Sequence, residues 1–543
     1  MLLITPLVSL AMAVTAMAQR TVHLNKRDAV VSQNMPIKPD ILRNQSELAI
    51  ALHPSNPNVV VAGWNSGDLS GIPRVMGWSL TTDGGSTWFG SDTLPTHPGA
   101  TRMADPALGI DLNGNLFFNA QIRSGTSAQR FVARSTNNGT NWNLATGLAT
   151  AYTVDKQHLT IDTNPESPFK NYVYTACTKD VAPRQVVLSY SSDSGKNFAS
   201  AVPISGSING LYGPWGVNLA VGLAGELYAT WVAYDDGGAL VGPVQLGFNK
   251  STDGGATWGA AMSLRSMNFA FYYVLSKGGT GIADWTYPSM AVDRSHGPQR
   301  GWLYVTFADL APNPNIYLIR STDDGSSWSN PVKVNQDNSG HDHWNQWMTV
   351  DDLTGAVYVM YYDSRRFPAN DSAEIFMSSS TDGGQTFDDV LISDAAFLPS
   401  AIPGFFAGYM GDYNVISALN NCVWLAWNDN RTGVHQAYAA RVAIITSVQR
   451  EEDQVPSSLL LEQNYPNPFN PTTAISYQLP TSNYVSLEIF DVLGREVAML
   501  VNGLEQAGSY TVSWEAANMP SGIYYYRLTA GNFSETRKMI LMK

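Results

Sequence analysis

One short string occurs six times in the sequence, and this repetition constrains the fold more than any other feature. Each copy has the pattern Ser/Thr-x-Asp/Asn-x-Gly-x-x-Trp/Phe. The third positions of the six copies are Asp83, Asn137, Asp193, Asp253, Asp323 and Asp382, so neighbouring copies lie 54 to 70 residues apart. Self-similarity at such a period indicates a repeat architecture.

Each string is typical of a tight turn between two strands. The Asp or Asn side chain can accept hydrogen bonds from backbone N–H groups of its own loop, and Gly supplies a left-handed position. The aromatic ring then folds back into the core and anchors the hairpin. We therefore interpret the Asp residues of the strings as structural and not as catalytic.

A second unit recurs ahead of the strings: two strand-like runs joined by a polar turn. Seven such units occur, at residues 46–65, 105–122, 156–177, 215–234, 287–309, 345–365 and 412–431. With a third strand and the strand after each string, every unit makes four antiparallel strands, which predicts an all-β, seven-bladed β-propeller. The seventh unit lacks its fourth strand, and we expect residues 21–34 to supply it and to close the ring.

The six strings resemble the Asp-box (BNR) repeats of the sialidase-like propeller superfamily, over roughly residues 40–445. The resemblance implies the fold but leaves the chemistry open, because Asp-box propellers include sialidases, endo-glucanases, assembly factors and receptors.

The composition argues against some classes of binding partner. The net charge is −13, and the chain has no basic run, which argues against a nucleic-acid or anionic-membrane partner. The two cysteines, Cys177 and Cys422, fall in strand-like runs of different repeats. We expect both cysteines to be buried free thiols. We also expect the protein to be a monomer that has no cofactor and no bound metal.

The first residues form an apolar run that ends in Ala16-Met17-Ala18. This pattern predicts a secretory signal peptide at residues 1–18, although the usual Lys or Arg near its start is missing. A short N-terminal membrane anchor is the alternative. Residues 19–446 would then be the propeller.

After the propeller the pattern changes to a polar linker at 447–458 and then to alternating strands that predict a small Ig-like β-sandwich at 459–543. The stretches NYPNPFNPTT at 464–473 and FDVLGREV at 490–497, the SGIYYYRL run at 521–528 and the KMILMK end resemble the C-terminal sorting domain of type IX secretion cargo. The resemblance implies handling by the type IX secretion machinery. It also implies a location outside the cell or on the outer surface of a Gram-negative-type bacterium, reached through the periplasm. A plain carbohydrate-binding module is the alternative.

The candidate site follows from the geometry of a propeller. In each blade, the start of the innermost strand and the loop between the second and third strands lie on the same face. The strand starts contribute Asp105, Lys156, Tyr287 and Asp412, with Glu47, Trp215, Trp347 and Tyr413 beside them; the loops contribute Arg123, Arg365, Arg366 and Arg431. Carboxylates, cations and aromatic rings on one rim are the mixture that glycan sites need.

The resemblance to sialidases implies three arginines for the substrate carboxylate, an Asp acid, and a Tyr nucleophile activated by a Glu. Arg365 or Arg366 and Arg431 match the second and third arginines, Asp105 the acid, Tyr287 or Tyr413 the nucleophile, and Glu47 the base. Asp412 is a further candidate catalytic carboxylate. The motif of the first arginine is absent, since GIPR at 71–74 does not match it.

Structural alternatives stay open for several of these residues. Asp363 with Arg365 and Asp429 with Arg431 recur at equivalent places, as ion pairs between blades would. Trp215 and Trp347 fit tunnel filling as well as sugar platforms. The metal-like spacing of His341 and His343 is better explained by an exposed loop.

Two classes of function therefore remain. One is a secreted or cell-surface glycoside hydrolase, of exo-sialidase type, that acts on glycans at the central pocket. The other is a non-catalytic propeller that binds glycan or protein through the same rim.

Overall fold

The computed structural model describes residues 19–24, 27–38, 42–68, 74–94, 100–125, 127–235, 244–268, 273–275, 277, 281–285, 287–310, 313–404, 407–445, 458–481, 483–505, 508–531 and 533–543. In these residues every regular element is a β-strand, so the predicted all-β class is confirmed. The predicted signal peptide and nearly all of the predicted linker lie outside the described residues. Two compact units are present, one comprising Met1–Arg20 and Val30–Ala443 and the other comprising Thr21–Ala29 and Ile444–Lys543.

The chain begins with three short strands and continues with three four-stranded sheets. The strands are β1 (Gln19–His23), β2 (Asp28–Ser32) and β3 (Met35–Pro36); β4 (Arg43–His53), β5 (Asn56–Asp68), β6 (Arg74–Thr81) and β7 (Phe89–Ser91); β8 (Arg102–Ile110), β9 (Leu116–Ser124), β10 (Ser127–Ser135) and β11 (Asn143–Leu144); β12 (Val154–Ile161), β13 (Val173–Lys179), β14 (Gln185–Ser191) and β15 (Val202–Pro203).

Three more four-stranded sheets follow, with a two-stranded hairpin, β20–β21, after the first of them, and a last group of three strands. These are β16 (Gly213–Val221), β17 (Leu227–Tyr234), β18 (Val244–Ser251) and β19 (Met262–Met267); β20 (Tyr273–Leu275) and β21 (Ile282–Asp284); β22 (Ser289–Val292), β23 (Leu303–Leu310), β24 (Pro314–Ser321) and β25 (Val332–Lys333); β26 (His343–Val350), β27 (Val357–Asp363), β28 (Glu374–Ser380) and β29 (Asp388–Leu391); β30 (Val415–Leu419), β31 (Cys422–Asp429) and β32 (Gln436–Ile445).

The strands pair in the order expected of propeller blades. Each four-stranded sheet keeps the chain order, and the last sheet has the order β1-β2-β32-β31-β30, with β3 also paired to β32. The first strands of consecutive sheets contact one another in the series β4, β8, β12, β16, β22, β26 and β30, and β30 contacts β4. Four-stranded sheets of this kind are typical of propeller blades. The count of seven blades remains our prediction.

The six strings form the predicted turns. In the fourth string the backbone N–H and the hydroxyl of Thr257 donate to the Asp253 carboxylate at 2.8 and 2.6 Å, and the Ser251 hydroxyl donates at 2.8 Å. Equivalent bonds hold Asp83, Asp193, Asp323 and Asp382, and Asn137 accepts from the N–H of Asn141 at 2.9 Å. These side chains are therefore occupied by their own loops.

The aromatic residue of the string joins neighbouring sheets. Trp142 packs edge-on against Trp78 of the preceding sheet with ring centroids 5.4 Å apart, and Trp328 packs against Phe248 in the same way at 5.4 Å. Trp258 is half-buried, so our expectation of a ring folded back into the core is only partly correct for this residue. The ring packs against a core cluster that two neighbouring sheets share.

The second unit has two facing sheets, which gives the predicted small sandwich. Its strands are β33 (Leu460–Leu461), β34 (Thr472–Leu479), β35 (Asn483–Phe490), β36 (Glu496–Glu505), β37 (Gly508–Glu515), β38 (Gly522–Ala530) and β39 (Phe533–Leu541). The sheet orders are β33-β34-β37 and β36-β35-β38-β39. A core around Trp514, Tyr526 and Leu487 lies between them. In the first unit, Cys177 and Cys422 are buried free thiols, as predicted.

We expect Gly139→Ala to destabilise the protein because of the close approach of the second string to the neighbouring sheet. Gly139 has a φ of +79°, and a Cβ there would lie 2.1 Å from the Trp78 ring. The strain of a left-handed Ala costs about 1–2 kcal/mol, and the clash adds about 1–3 kcal/mol. Chemical unfolding measures the sum.

Gly210→Ala is the matched control, because Gly210 has a φ of +82° and open space around its Cβ position. Gly210→Ala should lower the free energy of unfolding only by the cost of the backbone strain. Equal losses in the two variants would show that the seam does not restrict Gly139.

Candidate functional site

A β-bulge recurs in the first strands of the sheets and aims side chains at the centre. The register of β4, β8, β12, β16 and β26 shifts at one equivalent place in each strand. The bulged residues all have positive φ: Glu47 (50°), Asp105 (58°), Lys156 (49°), Gly216 (65°) and Asn345 (54°). A left-handed residue other than Gly costs roughly 1–3 kcal/mol, and such positions cluster at functional sites.

The bulges converge on a cavity of ≈ 300 Å³. Its wall brings together seven of the predicted site residues: Glu47, Asp105, Arg123, Lys156, Trp215, Tyr287 and Asp412. The predicted Trp347 and Tyr413 line an adjoining cavity of ≈ 270 Å³ that shares Lys156 and Tyr287 with the first. The centre of the first unit is thus a polar cavity bounded by aromatic rings.

The ammonium group of Lys156 is the hub of the cavity. Its Nζ lies 3.5 Å from Glu47 Oε1 and 3.5 Å from Asp105 Oδ1, and it donates to Asp412 Oδ2. These partners come from three other parts of the chain, namely β4, β8 and the segment before β30. One cation therefore gathers three carboxyl groups.

The buried groups have shifted pKa values. Burial lowers the pKa of Lys156, but the carboxylates of Asp105, Asp412 and Glu47 outweigh burial and hold that pKa well above its usual 10.5. Burial raises the pKa of Asp105, and the attraction of Lys156 offsets this only in part. Asp105 therefore has an increased tendency to carry a proton.

Glu47 has a tyrosine partner that the sequence analysis missed. The hydroxyl of Tyr409 donates to Glu47 Oε1 at 2.6 Å, and the Asn65 amide donates to Glu47 Oε2 at 2.5 Å. Tyr409 also lines the cavity, as do Arg102 and Trp285. The signal available in the sequence was the position of Tyr409, three residues before Asp412 in the stretch AGYMGD.

The two tyrosines predicted as nucleophiles have different surroundings. The hydroxyl of Tyr287 is buried and has no hydrogen-bond partner among the described residues. The hydroxyl of Tyr413 donates to the carbonyl of Pro106 at 3.1 Å. Burial raises the pKa of both phenols well above 10.

Three of the four predicted arginines, Arg365, Arg366 and Arg431, do not line either cavity. Arg365 binds Asp363 and Asp389 at 2.6 Å each, and Arg366 lies 3.2 Å from Glu374. Arg431 contacts Asp429 at 2.6 Å and Asp394 at 2.5 Å. The closest partners of Arg365 thus belong to its own sheet, whereas Arg431 reaches Asp394, which follows β29 of the preceding sheet, so the predicted ion pairs between blades are found only in part.

His343, one of the two histidines with metal-like spacing, lies beside Arg365. His343 is buried, and its Nε2 lies 2.9 Å from Asp337 and 3.4 Å from Asp363. No group of His, Cys, Asp and Glu with metal-binding geometry occurs in the described part of the chain. His343 serves as an ion-pair partner within the scaffold.

The comparisons with known proteins begin at the C-terminus. Residues 463–542 match the family described as "Secretion system C-terminal sorting domain". The second unit carries this sorting domain. The sorting domain indicates type IX secretion, so the protein is destined for the outer surface or the exterior of the cell. No helix among the described residues has the length and hydropathy to span a membrane.

The chain is also similar to proteins described as sialidases and as an arabinanase. It is 28% identical to a sialidase of Bacteroides fragilis (strain YCH46) over 176 residues, which is 29% of this chain and 30% of that protein. Among solved structures, the Hadza microbial sialidase Hz136 is 13% identical with a TM-score of 0.40, and the match covers 67% of this chain and 73% of that one. A Penicillium chrysogenum α-L-arabinanase complexed with arabinobiose is 13% identical with a TM-score of 0.40, covering 62% and 92%.

The stability of the first unit should fall between pH 6.5 and about 9 because of His343. Burial lowers the pKa of His343, but Asp337 and Asp363 outweigh burial and raise it from 6.5 to about 9. A raised pKa stabilises the fold fully below the unfolded value of 6.5, and this stabilisation is lost as the pH rises through about 9. Thermal unfolding across this range should show a loss on the order of 3 kcal/mol.

His343→Gln should remove most of this pH dependence. His435→Gln is the control, because burial lowers the pKa of His435 to about 4 and the group stays neutral throughout the window. An unchanged slope in His343→Gln would contradict the assignment.

Deletion of residues 459–543 should leave the protein in the periplasm, because the signal read by the export machinery is lost. Immunoblots of periplasmic and extracellular fractions measure the distribution, with the full chain as the control. Normal extracellular amounts of the truncated chain would rule out the sorting role.

Proposed function

We propose that the first unit binds a glycan in the central cavity and hydrolyses a glycosidic bond there. The observation that carries this proposal is the buried carboxyl group of Asp105, which has a raised pKa and lies beside Glu47 and Asp412 around one ammonium group. Glycoside hydrolysis needs one carboxyl group that keeps its proton and another group that is ionised. The similarity to a sialidase over 176 residues supports the choice of substrate class.

Asp105 is the proposed general acid. Its side chain sits on a bulge, and its backbone N–H donates to Asn65 Oδ1 at 3.0 Å, which fixes the position of the residue. The side chain of Asn65 also binds Glu47, so one amide holds both residues in place. A proton held on Asp105 can pass to the oxygen of the leaving group as the glycosidic bond breaks.

Glu47 and Tyr409 are the proposed nucleophilic pair. The resemblance to sialidases implies a tyrosine activated by a glutamate, and Tyr409 is the tyrosine that donates to Glu47 at 2.6 Å. When the phenol transfers its proton to Glu47, its oxygen can attack the anomeric carbon as the leaving group departs with the proton of Asp105. Water then attacks the same carbon, gives a proton to Asp105 and releases the sugar, and the phenolate takes its proton back from Glu47. Tyr287, whose hydroxyl lacks a partner among the described residues, is then available to bind a sugar hydroxyl.

Lys156 has a supporting role in this scheme. An ammonium group within 4 Å of a carboxyl group favours the ionised form of that group. Lys156 therefore favours the ionised form of the carboxyl groups around it, and at Asp105 burial works in the opposite direction. The proposal does not include specificity for sialic acid, since Arg365, Arg366 and Arg431 bind scaffold carboxylates.

A second candidate function is a binding propeller without catalysis. It is favoured by the contacts of Lys156, which engage all three carboxyl groups in ion pairs. In this case the cavity wall, with Trp215 and Trp285, would hold a sugar ring by its apolar face.

Asp105→Asn separates the two candidates. An enzyme should lose turnover by about 10²–10⁴-fold, because the proton donor acts mainly in the transition state, and should keep its KM within a few fold. Hydrolysis of a panel of fluorogenic glycosides measures kcat and KM. Asp388→Asn, on the outer strand β29, is the control and should leave both values unchanged.

Wild-type protein that binds members of a glycan array but hydrolyses no glycoside would favour the second candidate. Turnover that survives in Asp105→Asn would remove Asp105 from the mechanism.

A further inference from the structure

Two arginines face each other at the edge of the central cavity. Arg102 on β8 and Arg123 on β9 are direct partners in the register of the two strands, and both line the cavity. Side chains opposed in this way have Cβ atoms about 4.5–5.5 Å apart, and like charges there destabilise a sheet. The pair therefore places two positive charges side by side at the edge of the cavity, where a negatively charged ligand would relieve their repulsion.

Arg123 is held in a fixed orientation. Its Nε donates to Gln121 Oε1 at 3.0 Å. The amide nitrogen of Gln121 donates to the carbonyl of Val154 at 2.7 Å and to Asp155 Oδ1 at 3.0 Å, so only its oxygen can turn toward Arg123. The outer nitrogens of Arg123 bind no acceptor among the described residues, which leaves the planar end of the guanidinium for an anion.

The interior of the cavity holds three carboxyl groups around one ammonium group, whereas two guanidinium groups stand at its mouth. Glu47 and Asp105 are 1% and 4% exposed, whereas Arg123 is an exposed residue at the mouth. An anionic group would be repelled by the carboxylates in the interior and attracted by the two guanidinium groups at the mouth. The interior in turn offers the unpartnered hydroxyl of Tyr287, which suits a neutral sugar hydroxyl.

We propose that Arg102 and Arg123 form a subsite for the carboxylate or sulfate group of an acidic oligosaccharide, on a sugar unit that lies outside the cavity. This inference rests on the proposed function, because the neighbouring sugar unit of the same chain occupies the cavity. The ligand is therefore an oligosaccharide that carries negative charge beyond its terminal unit.

The test is isothermal titration calorimetry of the full-length protein with three probes: an oligogalacturonate, a sulfated galacto-oligosaccharide and a neutral galacto-oligosaccharide. Arg123→Gln and Arg102→Gln should each weaken binding of an acidic probe by at least ~10-fold, which corresponds to the loss of a charge-assisted hydrogen bond. Binding of the acidic probe should also weaken as salt is raised. The two acidic probes show whether the group is carboxylate or sulfate.

Arg134→Gln is the matched control, because Arg134 lies on β10 of the same sheet and does not line the cavity. It should leave all affinities unchanged. The subsite would be overturned if the acidic probes bound no better than the neutral one. It would also be overturned if they bound Arg102→Gln and Arg123→Gln as tightly as they bind the wild type. In both cases the proposed glycan function would stand. Absence of binding by all three probes would overturn both.

Discussion

The architecture of the site depends on a single buried ammonium group. Lys156 lies within ion-pair distance of Glu47, Asp105 and Asp412, and these residues come from separate parts of the chain. Removing one member of a buried ion cluster leaves an uncompensated charge, which typically costs about 3–5 kcal/mol. The sheets that supply these residues must therefore keep their positions relative to Lys156, and the cavity keeps its shape with them.

The bulges explain how the strands can serve both the core and the site. A regular strand alternates its side chains between two faces, and in a first strand both faces are packed against neighbouring sheets. The extra residue of the bulge breaks this alternation once per strand and turns one side chain toward the centre. Glu47, Asp105 and Lys156 occupy that position, so three of the four charged groups of the cluster arise from one repeated irregularity.

The rest of the scaffold satisfies its own polar groups away from the cavity. The six string turns hydrogen-bond their own Asp or Asn side chains, and the rings of Trp142 and Trp328 pack against neighbouring sheets. Arg365 and Arg431 are held by carboxylates outside the cavity. Two polar groups of the cavity wall, the Tyr287 hydroxyl and the outer nitrogens of Arg123, bind no partner among the described residues.

The sequence by itself determined the all-β class, the turn chemistry of the strings and the C-terminal sorting domain, because each depends on residues close together in the chain. It also named seven residues of the cavity wall, since the repeat places equivalent residues at equivalent positions. It did not single out Tyr409 or Arg102, and it grouped Arg365, Arg366 and Arg431 with the site. Whether each of these residues belongs to the cavity depends on which other side chains lie close to it in space. Only the tertiary structure decides that, because the partners are separated by up to hundreds of residues, as Tyr409 is from Glu47.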